Sequence, residues 1–302
     1  MTITTALPRA HGAGREESAS DVGRLVVSCP DGPGIVAKVS TFLHRRGANI
    51  IQSDQYSTGP VGGRFFLRVE FHLPCLTSQL AELTGDFATE VGSAIGGTFR
   101  FRDAGAVTRV AVFVSRYDHC LLDLLWRTRR GELPVEVVQV VSNHSDLAAD
   151  VAAFGVPFER VPVTRETKRS AEHRQLELLR GRVDLVVLAR YMQILSAEFL
   201  DTIGVPVINI HHSFLPAFAG AGPYERAKER GVKLIGATAH YATEDLDEGP
   251  IIEQDVVRVS HRATSAELSR RGADIERTVL ARAVKWHCEE RVLVDGRTTI
   301  VF

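Results

Sequence analysis

"VDLVVLARYMQILSAEFLDTIGVPVINIHHSFLP", residues 183–216, sets two short apolar runs, Val183–Arg190 and Val205–Ile210, on either side of a segment with the length of a short helix. Both runs are nearly continuous in Val, Ile and Leu instead of alternating with polar residues, the pattern of strands covered on both faces of a parallel sheet. In open sheets of that kind, ligands bind beyond the carboxyl ends of the strands. The second run ends there in Asn209, His211, His212 and Ser213, and Pro216 closes the stretch.

The pattern continues outward. Upstream come the runs 109–115, 135–143 and 158–163, with helical segments over 119–131, 145–155 and 168–181 between them, and downstream a strand ends at Tyr241. The spacing predicts an open, mostly parallel, doubly wound α/β domain over residues 108–302. The first third reads differently. A β-rich run (24–29), a Gly/Pro turn, a helix over 35–43, a hairpin made of 49–57 and 64–73 around "TGPVGG", a helix near 78–95 and a last strand over 97–103 give the order βαββαβ. That order predicts a small α+β sandwich over 24–103. Residues 1–23 lack the apolar core of a signal peptide and read as a disordered polar tail.

Thirty-six Lys and Arg against 37 Asp and Glu leave a formal charge of −1, with no field of one sign for nucleic acid or an anionic membrane. No apolar stretch has the length to span a bilayer. Cys29, Cys75, Cys120 and Cys288 lie far apart without a CxxC pair, which argues against a structural zinc site or a disulfide framework and for a reducing cytoplasm.

Along an extended strand end, Asn209 and His211 project to one side while Ile210 and His212 project to the other. An amide and an imidazole on one face suit carbonyl chemistry, since the first donates a neutral hydrogen bond and the second moves a proton near neutral pH. His212 reads as structural, bonded to backbone, and Ser213 and Pro216 as shaping the turn. A carboxylate partner is expected from "GATAHYATEDLDEGPII" (236–252), where Glu244, Asp245, Asp247 and Glu248 compete and spacing does not choose. Asp247 has a local argument: Leu246 and the segment 249–252 should fold toward the body and carry it inward. Cys120 beside His119 is a poor nucleophilic pair, because adjacent residues on a helix face about 100° apart.

Two resemblances sharpen this reading. "DGPGIVAKVSTFLHRRGANI" (31–50) resembles the opening of an ACT domain, which implies amino-acid sensing and sheet pairing between subunits. An effector would then lie at the loop containing Asp31, Gly34 and Ile35, against Asn49 of a neighbouring strand or subunit. "NIHHSFLPAF" (209–218) followed by the 236–252 stretch resembles the formyl transferase fold of folate enzymes, with its Asn-x-His and a downstream LDxGP aspartate. The resemblance implies Asn209, His211 and Asp247 as the catalytic trio, and Gln193, Ile194 and Leu195 of "RYMQILS" as the segment whose backbone holds the pterin.

Glycinamide ribonucleotide transformylases of that fold carry a Gly-rich phosphate loop after the first strand. Here the same place reads "SRYDHCLLDLL" (115–125), without glycine, with bulky Arg116 and Tyr117, and with Asp118 at the helix start to repel a phosphate. Water is then the simplest formyl acceptor. The whole arrangement is similar to the formyltetrahydrofolate deformylase family. This resemblance implies hydrolysis of 10-formyltetrahydrofolate to formate and tetrahydrofolate, a balancing of one-carbon folate pools, and formate for purine synthesis. It further implies the folate as substrate with no metal or other cofactor, methionine and glycine as opposing effectors, and a homo-oligomer, a tetramer by family habit. One departure is "GAGPYERA" (220–227), where Gly222, Glu225 and Arg226 replace the family's Asn, His and Gln. Competing expectations are formyl transfer to a different amine, and an amino-acid sensor with a silent catalytic domain.

Overall fold

The computed structural model describes residues 21–217 and 223–302. Residues 1–20 of the expected tail, and Gly222, lie outside the described residues. The first strand begins earlier than the sequence suggests: β1 is Val22–Pro30, so Val22 and Gly23 belong to the sheet and not to a tail. It pairs with β3 from its first residue, Val22 opposite His72.

The N-terminal unit consists of β1, α1 (Ile35–Arg45), β2 (Asn49–Ser57), β3 (Arg64–His72), α2 (Leu76–Phe87), α3 (Ser93–Ile95) and β4 (Thr98–Asp103). The expected single helix over 78–95 starts at Leu76 and passes through a π-helical turn at Ala88–Gly92 before α3. The strands form an antiparallel sheet in the order β2-β3-β1-β4. Period-two alternation sends Leu25, Val27, Cys29, Phe65, Leu67, Val69 and Phe71 to the helical face, against Val39, Phe42, Leu43 and Phe87.

The C-terminal unit contains β5 (Thr108–Val114), α4 (His119–Arg129), β6 (Val135–Ser142), α5 (Ala148–Ala152), β7 (Phe158–Arg160), α6 (Lys168–Leu179) and β8 (Leu185–Leu188). Then follow α7 (Ala197–Ile203), β9 (Val207–His211), α8 (Pro223–Glu229), β10 (Leu234–Tyr241), β11 (Ile251–Arg258) and α9 (Ser265–Cys288). The seven strands lie in the order β11-β10-β9-β8-β5-β6-β7. Strands β5 to β9 pair in parallel, while β10 runs antiparallel to β9 and to β11. Alternate residues feed two cores. Val110, Val112, Leu185, Val187, Ile208 and Ile210 pack under α4 and α9, whereas Ala111, Phe113, Val186, Leu188 and Val207 pack under α6 and α7. Continuous Val, Ile and Leu in these strands is the direct consequence of having both faces covered.

A C-terminal hairpin, β12 (Val292–Asp295) with β13 (Thr298–Val301), had no counterpart in the sequence reading. It lies on the back of the N-terminal sheet, where Leu293, Ile300 and Phe302 meet Val26 and Phe66. Arg68, 3% exposed on the same back face, donates to the Glu289 carbonyl at 2.9 Å, and Arg100 and Arg102 of β4 pair with the buried Glu290 carboxylate.

Candidate active site

On β9 the residues that share a face are Val207, Asn209 and His211. Val207 belongs to the core under α6 and α7, and the next two positions on that face carry the amide and the imidazole. They line a cavity of about 190 Å³ at the carboxyl ends of β8 and β9, bounded by the 190–195 loop and by residues 242–247.

Three local devices build the walls. Ser115, at the end of β5, accepts from Met192 N through its hydroxyl at 3.0 Å and donates to Asn143 at 2.8 Å, so the loop after β8 is tied to two neighbouring strands. Ser196 caps α7 by accepting from Phe199 N, while its own N–H and hydroxyl donate to Glu172 of α6 at 2.9 and 2.6 Å. The turn after β9 is pinned by buried Thr238, which accepts from Leu215 N at 3.0 Å and donates to the Ser213 carbonyl at 2.9 Å. Ser213 in turn donates to the Ala217 carbonyl, and Pro216 follows a cis peptide bond.

The acidic loop has farther to travel than a parallel strand would require. Because β10 is antiparallel, Tyr241 leaves the sheet opposite Ile208, and the chain must run back beside β9 to reach His211. It does so through a left-handed residue at Asp247 itself, φ 58°, and through Gly249, where an added Cβ would meet the Tyr241 carbonyl at 1.8 Å. The inward pull expected of Leu246 is not the device, since Leu246 is 57% exposed; burial begins at Gly249 and Pro250. Of the four competing acids, Asp247 is the one that meets the histidine, Oδ1 lying 3.1 Å from His211 Nδ1. Glu248 pairs with Arg297 instead.

Nδ1 of His211 therefore carries a hydrogen toward Asp247, and Nε2 is buried without a partner among the described residues. Burial alone would raise the Asp247 carboxyl, but the hydrogen bond and charge of His211 and the nearby His240 and His212 outweigh it and hold the group below its usual range. His240, which the sequence reading did not single out, completes the arrangement. It stands opposite Asn209 across the β9–β10 ladder, Nε2 3.1 Å from the Asn209 amide nitrogen and 3.8 Å from Asp247. Its Nδ1 lies 2.9 Å from the Tyr241 carbonyl, an obligate acceptor, so Nδ1 holds the hydrogen and Nε2 accepts from Asn209. Burial keeps this imidazole neutral, against the opposing pull of the Tyr241 carbonyl.

Gln193, Ile194 and Leu195 line the same cavity, and none of the backbone hydrogen bonds between described residues uses their amides or carbonyls. His212 departs from expectation. It makes no bond to backbone among the described residues but borders the cavity as a neutral ring, pushed down to about 3 by burial and by the neighbouring Arg190 and His211.

A family model described as formyl transferase matches residues 108–284, and an ACT domain model matches residues 23–74. A formyltetrahydrofolate deformylase of Mycobacterium tuberculosis (strain ATCC 25618 / H37Rv) is 64% identical over 283 residues, covering 94% of this chain and 91% of the relative. The chain belongs to the formyltetrahydrofolate deformylase family. A deformylase of Bacillus subtilis (strain 168) is 52% identical across 93% of this chain and 94% of its own length. The crystal structure of a deformylase from Pseudomonas syringae pv. tomato superposes with a TM-score of 0.88 at 44% identity, covering 95% and 96% of the two chains.

The remaining positions taken from the sequence fall outside this cavity. Cys120 is 1% exposed and burial pushes its thiol well up, which removes it as a nucleophile. With His119 and Glu276 it forms a group whose ligand atoms lie within 4.8 Å, but the Glu276 carboxylate there is already shared by His119, Tyr224 and Arg190. Glu225 is exposed and Arg226 half-buried on α8. In the ACT unit, Asp31 accepts from Gly32 N and from the Ser57 hydroxyl, and Gly34 adopts φ 84° to start α1 before buried Ile35. Asn49 sits at the other end of β2, opposite His72, so within one chain it is not brought to the Asp31 loop.

Proposed function

We propose that the chain hydrolyses 10-formyltetrahydrofolate to formate and tetrahydrofolate at the cavity between the 190–195 loop and Asp247. The observation that carries this reading is the His211 ring: one nitrogen is fixed by Asp247, the other is buried without a partner among the described residues, in the cavity that Asn209 also lines. Such a pair of donors suits an oxygen that becomes negative as a carbonyl is attacked, each donor contributing about 3 kcal/mol to the transition state. Asn209 spends one N–H on His240 and has a second for the formyl oxygen, while protonated His211 donates through Nε2. Asp247 orients His211 and accepts the proton of the attacking water. The backbone groups of Gln193, Ile194 and Leu195, without backbone partners among the described residues, suit the hydrogen-bonding edge of a pterin. The folate is the substrate, and the mechanism calls for no other cofactor.

Water as acceptor is supported by the loop after β5, where Tyr117 and Asp118 occupy the place of a phosphate cradle. An amino-acid effector of the ACT unit, methionine or glycine, would engage the Asp31–Ile35 loop together with Asn49 of a second copy, which makes the working form a homo-oligomer, a tetramer by family habit. No helix among the described residues is long and apolar enough to cross a membrane, consistent with a cytoplasmic enzyme that supplies formate for purine synthesis. Incubation with 10-formyltetrahydrofolate alone tests the reading: formate and tetrahydrofolate are expected in equal amounts, and formate that appears only when an amine is added would overturn it.

A further inference from the structure

Beside the trio, at the carboxyl ends of β5 and β8, the cavity has a cationic wall that the mechanism above leaves unused. Arg190 is 6% exposed, lines the cavity with His211 and His212, and holds a left-handed backbone at φ 62°. A non-glycine residue in that region is costly and is kept where its side chain has a task. The guanidinium plane is fixed from two directions. Its carbon lies 4.7 Å from the Tyr117 ring centroid, and Nη1 lies 3.3 Å from Glu276 Oε2.

Glu276 is itself well supported. It is 1% exposed in the body of α9, and it accepts from Tyr224 OH at 2.6 Å and pairs with His119 Nε2 at 2.8 Å. Gly272, one turn earlier, makes room for Tyr224, since an added Cβ would come 1.9 Å from the phenol oxygen. Burial opposes ionisation, but His119, Arg190 and Tyr224 together push the carboxyl down to about 2. The anchor is therefore a permanent anion. Even so, Nε of Arg190 is buried with no hydrogen-bond acceptor among the described residues, and Nη1 is ion-paired with Glu276 without the alignment of a hydrogen bond. A buried guanidinium with an idle N–H is expensive, and an anionic carboxylate oxygen is the ligand atom that satisfies it best.

The reaction supplies a carboxylate. Attack of water on the formyl carbon gives a tetrahedral centre with two oxygens, the original one and the one brought by water. We infer that Arg190 receives the water-derived oxygen, first in the tetrahedral intermediate and then in formate, while Asn209 and His211 hold the other. This rests on the hydrolase reading above. The carbon–oxygen bond forms as Asp247 takes one proton of the water, that proton passes to N10 as the bond from carbon to N10 breaks, and the second water proton is lost to solvent as formate leaves with both oxygens. In transfer to an amine, a nitrogen would occupy that position and end as a neutral amide, with no use for a fixed cation. Arg190 thus adapts the cavity to water. Its pairing with Glu276 weakens the net attraction for the product, which favours release.

The test is product inhibition by formate at constant ionic strength, with chloride as control, in the full-length protein and in Arg190→Met and Arg190→Gly. Glycine suits the left-handed backbone, which guards against a folding defect. Formate, and not chloride, is expected to inhibit the unaltered protein, and both variants should require about tenfold more formate and lose about tenfold or more in kcat, with KM for the folate little changed. Equal inhibition of all three proteins, no inhibition of the unaltered one, or variants altered only in KM would each overturn the inference. Should the unaltered protein release no formate at all, the hydrolase reading fails by itself. Calorimetric titration of formate into the tetrahydrofolate-bound proteins then decides on Arg190, with binding lost in the variants supporting the assignment and binding retained overturning it.

Discussion

His240 faces Asn209 directly across β9 and β10 and takes one of its two amide hydrogens, which fixes the side of the cavity to which the second one points. An Asn amide left alone rotates freely; here its orientation is set by an imidazole whose own tautomer is set by the Tyr241 carbonyl. His240→Ala is expected to lower kcat about ten- to a hundredfold with KM nearly unchanged, because the loss is one of aim and not of binding. Steady-state assays of formate release check this, and a parallel rise in KM would point to a folate contact instead.

Removal of a donor to the developing oxyanion should be severe. Asn209→Ala and His211→Ala are each expected to cost about a hundred- to a thousandfold in kcat. Folate binding, followed by fluorescence titration, should survive in both.

Asp247→Asn keeps shape and hydrogen-bonding capacity but loses the charge that His211 faces at 3.1 Å. Activity is expected to fall by about a hundredfold or more, while the melting temperature at pH 7 changes little. Asn also tolerates the left-handed backbone at this position, so a collapse of the fold would contradict the assignment of φ 58° to a local turn.

Glu276 gives a pH prediction with a definite sign. Its carboxyl is depressed from 4.5 to about 2 in the folded chain, by His119, Arg190 and Tyr224 against the effect of burial. The stability it contributes is therefore complete above pH 4.5 and is lost as pH falls toward 2. Glu276→Gln should destabilise the protein by about 3 kcal/mol at neutral pH, since it strands a buried guanidinium, and should flatten the acid limb of the stability curve. Urea unfolding at pH 7, 4.5 and 3 measures both.

Much of this site could be read before any coordinates. The nearly continuous apolar runs of β5, β6, β8 and β9 betray a sheet covered twice over, and period two places Asn209 and His211 together. Asp247 was a different matter, because four acids lie within five residues and only the antiparallel turn of β10 decides which of them comes back to His211. His240 escaped notice for the same reason: its partner is defined by cross-strand register, which no local spacing reveals. Glu276 sits among charged neighbours on a long helix, where a carboxylate reads as solvated; only the gap at Gly272, which admits Tyr224, turns it inward. The hairpin β12–β13 was missed because its short strands, VLVD and TTIV, mix polar with apolar residues and lack the unbroken apolar run that marks β8.

That hairpin makes the two units structurally inseparable. Leu293, Ile300 and Phe302 come from the end of the chain, yet the surface they cover, Val26 and Phe66, belongs to the sheet nearest its beginning. Cutting the connection between Asp103 and Thr108 would leave each half with a wet apolar scar and would strip Arg68 of the Glu289 carbonyl. A sensor domain grafted in from another protein would have to reproduce this seam before it could sense anything.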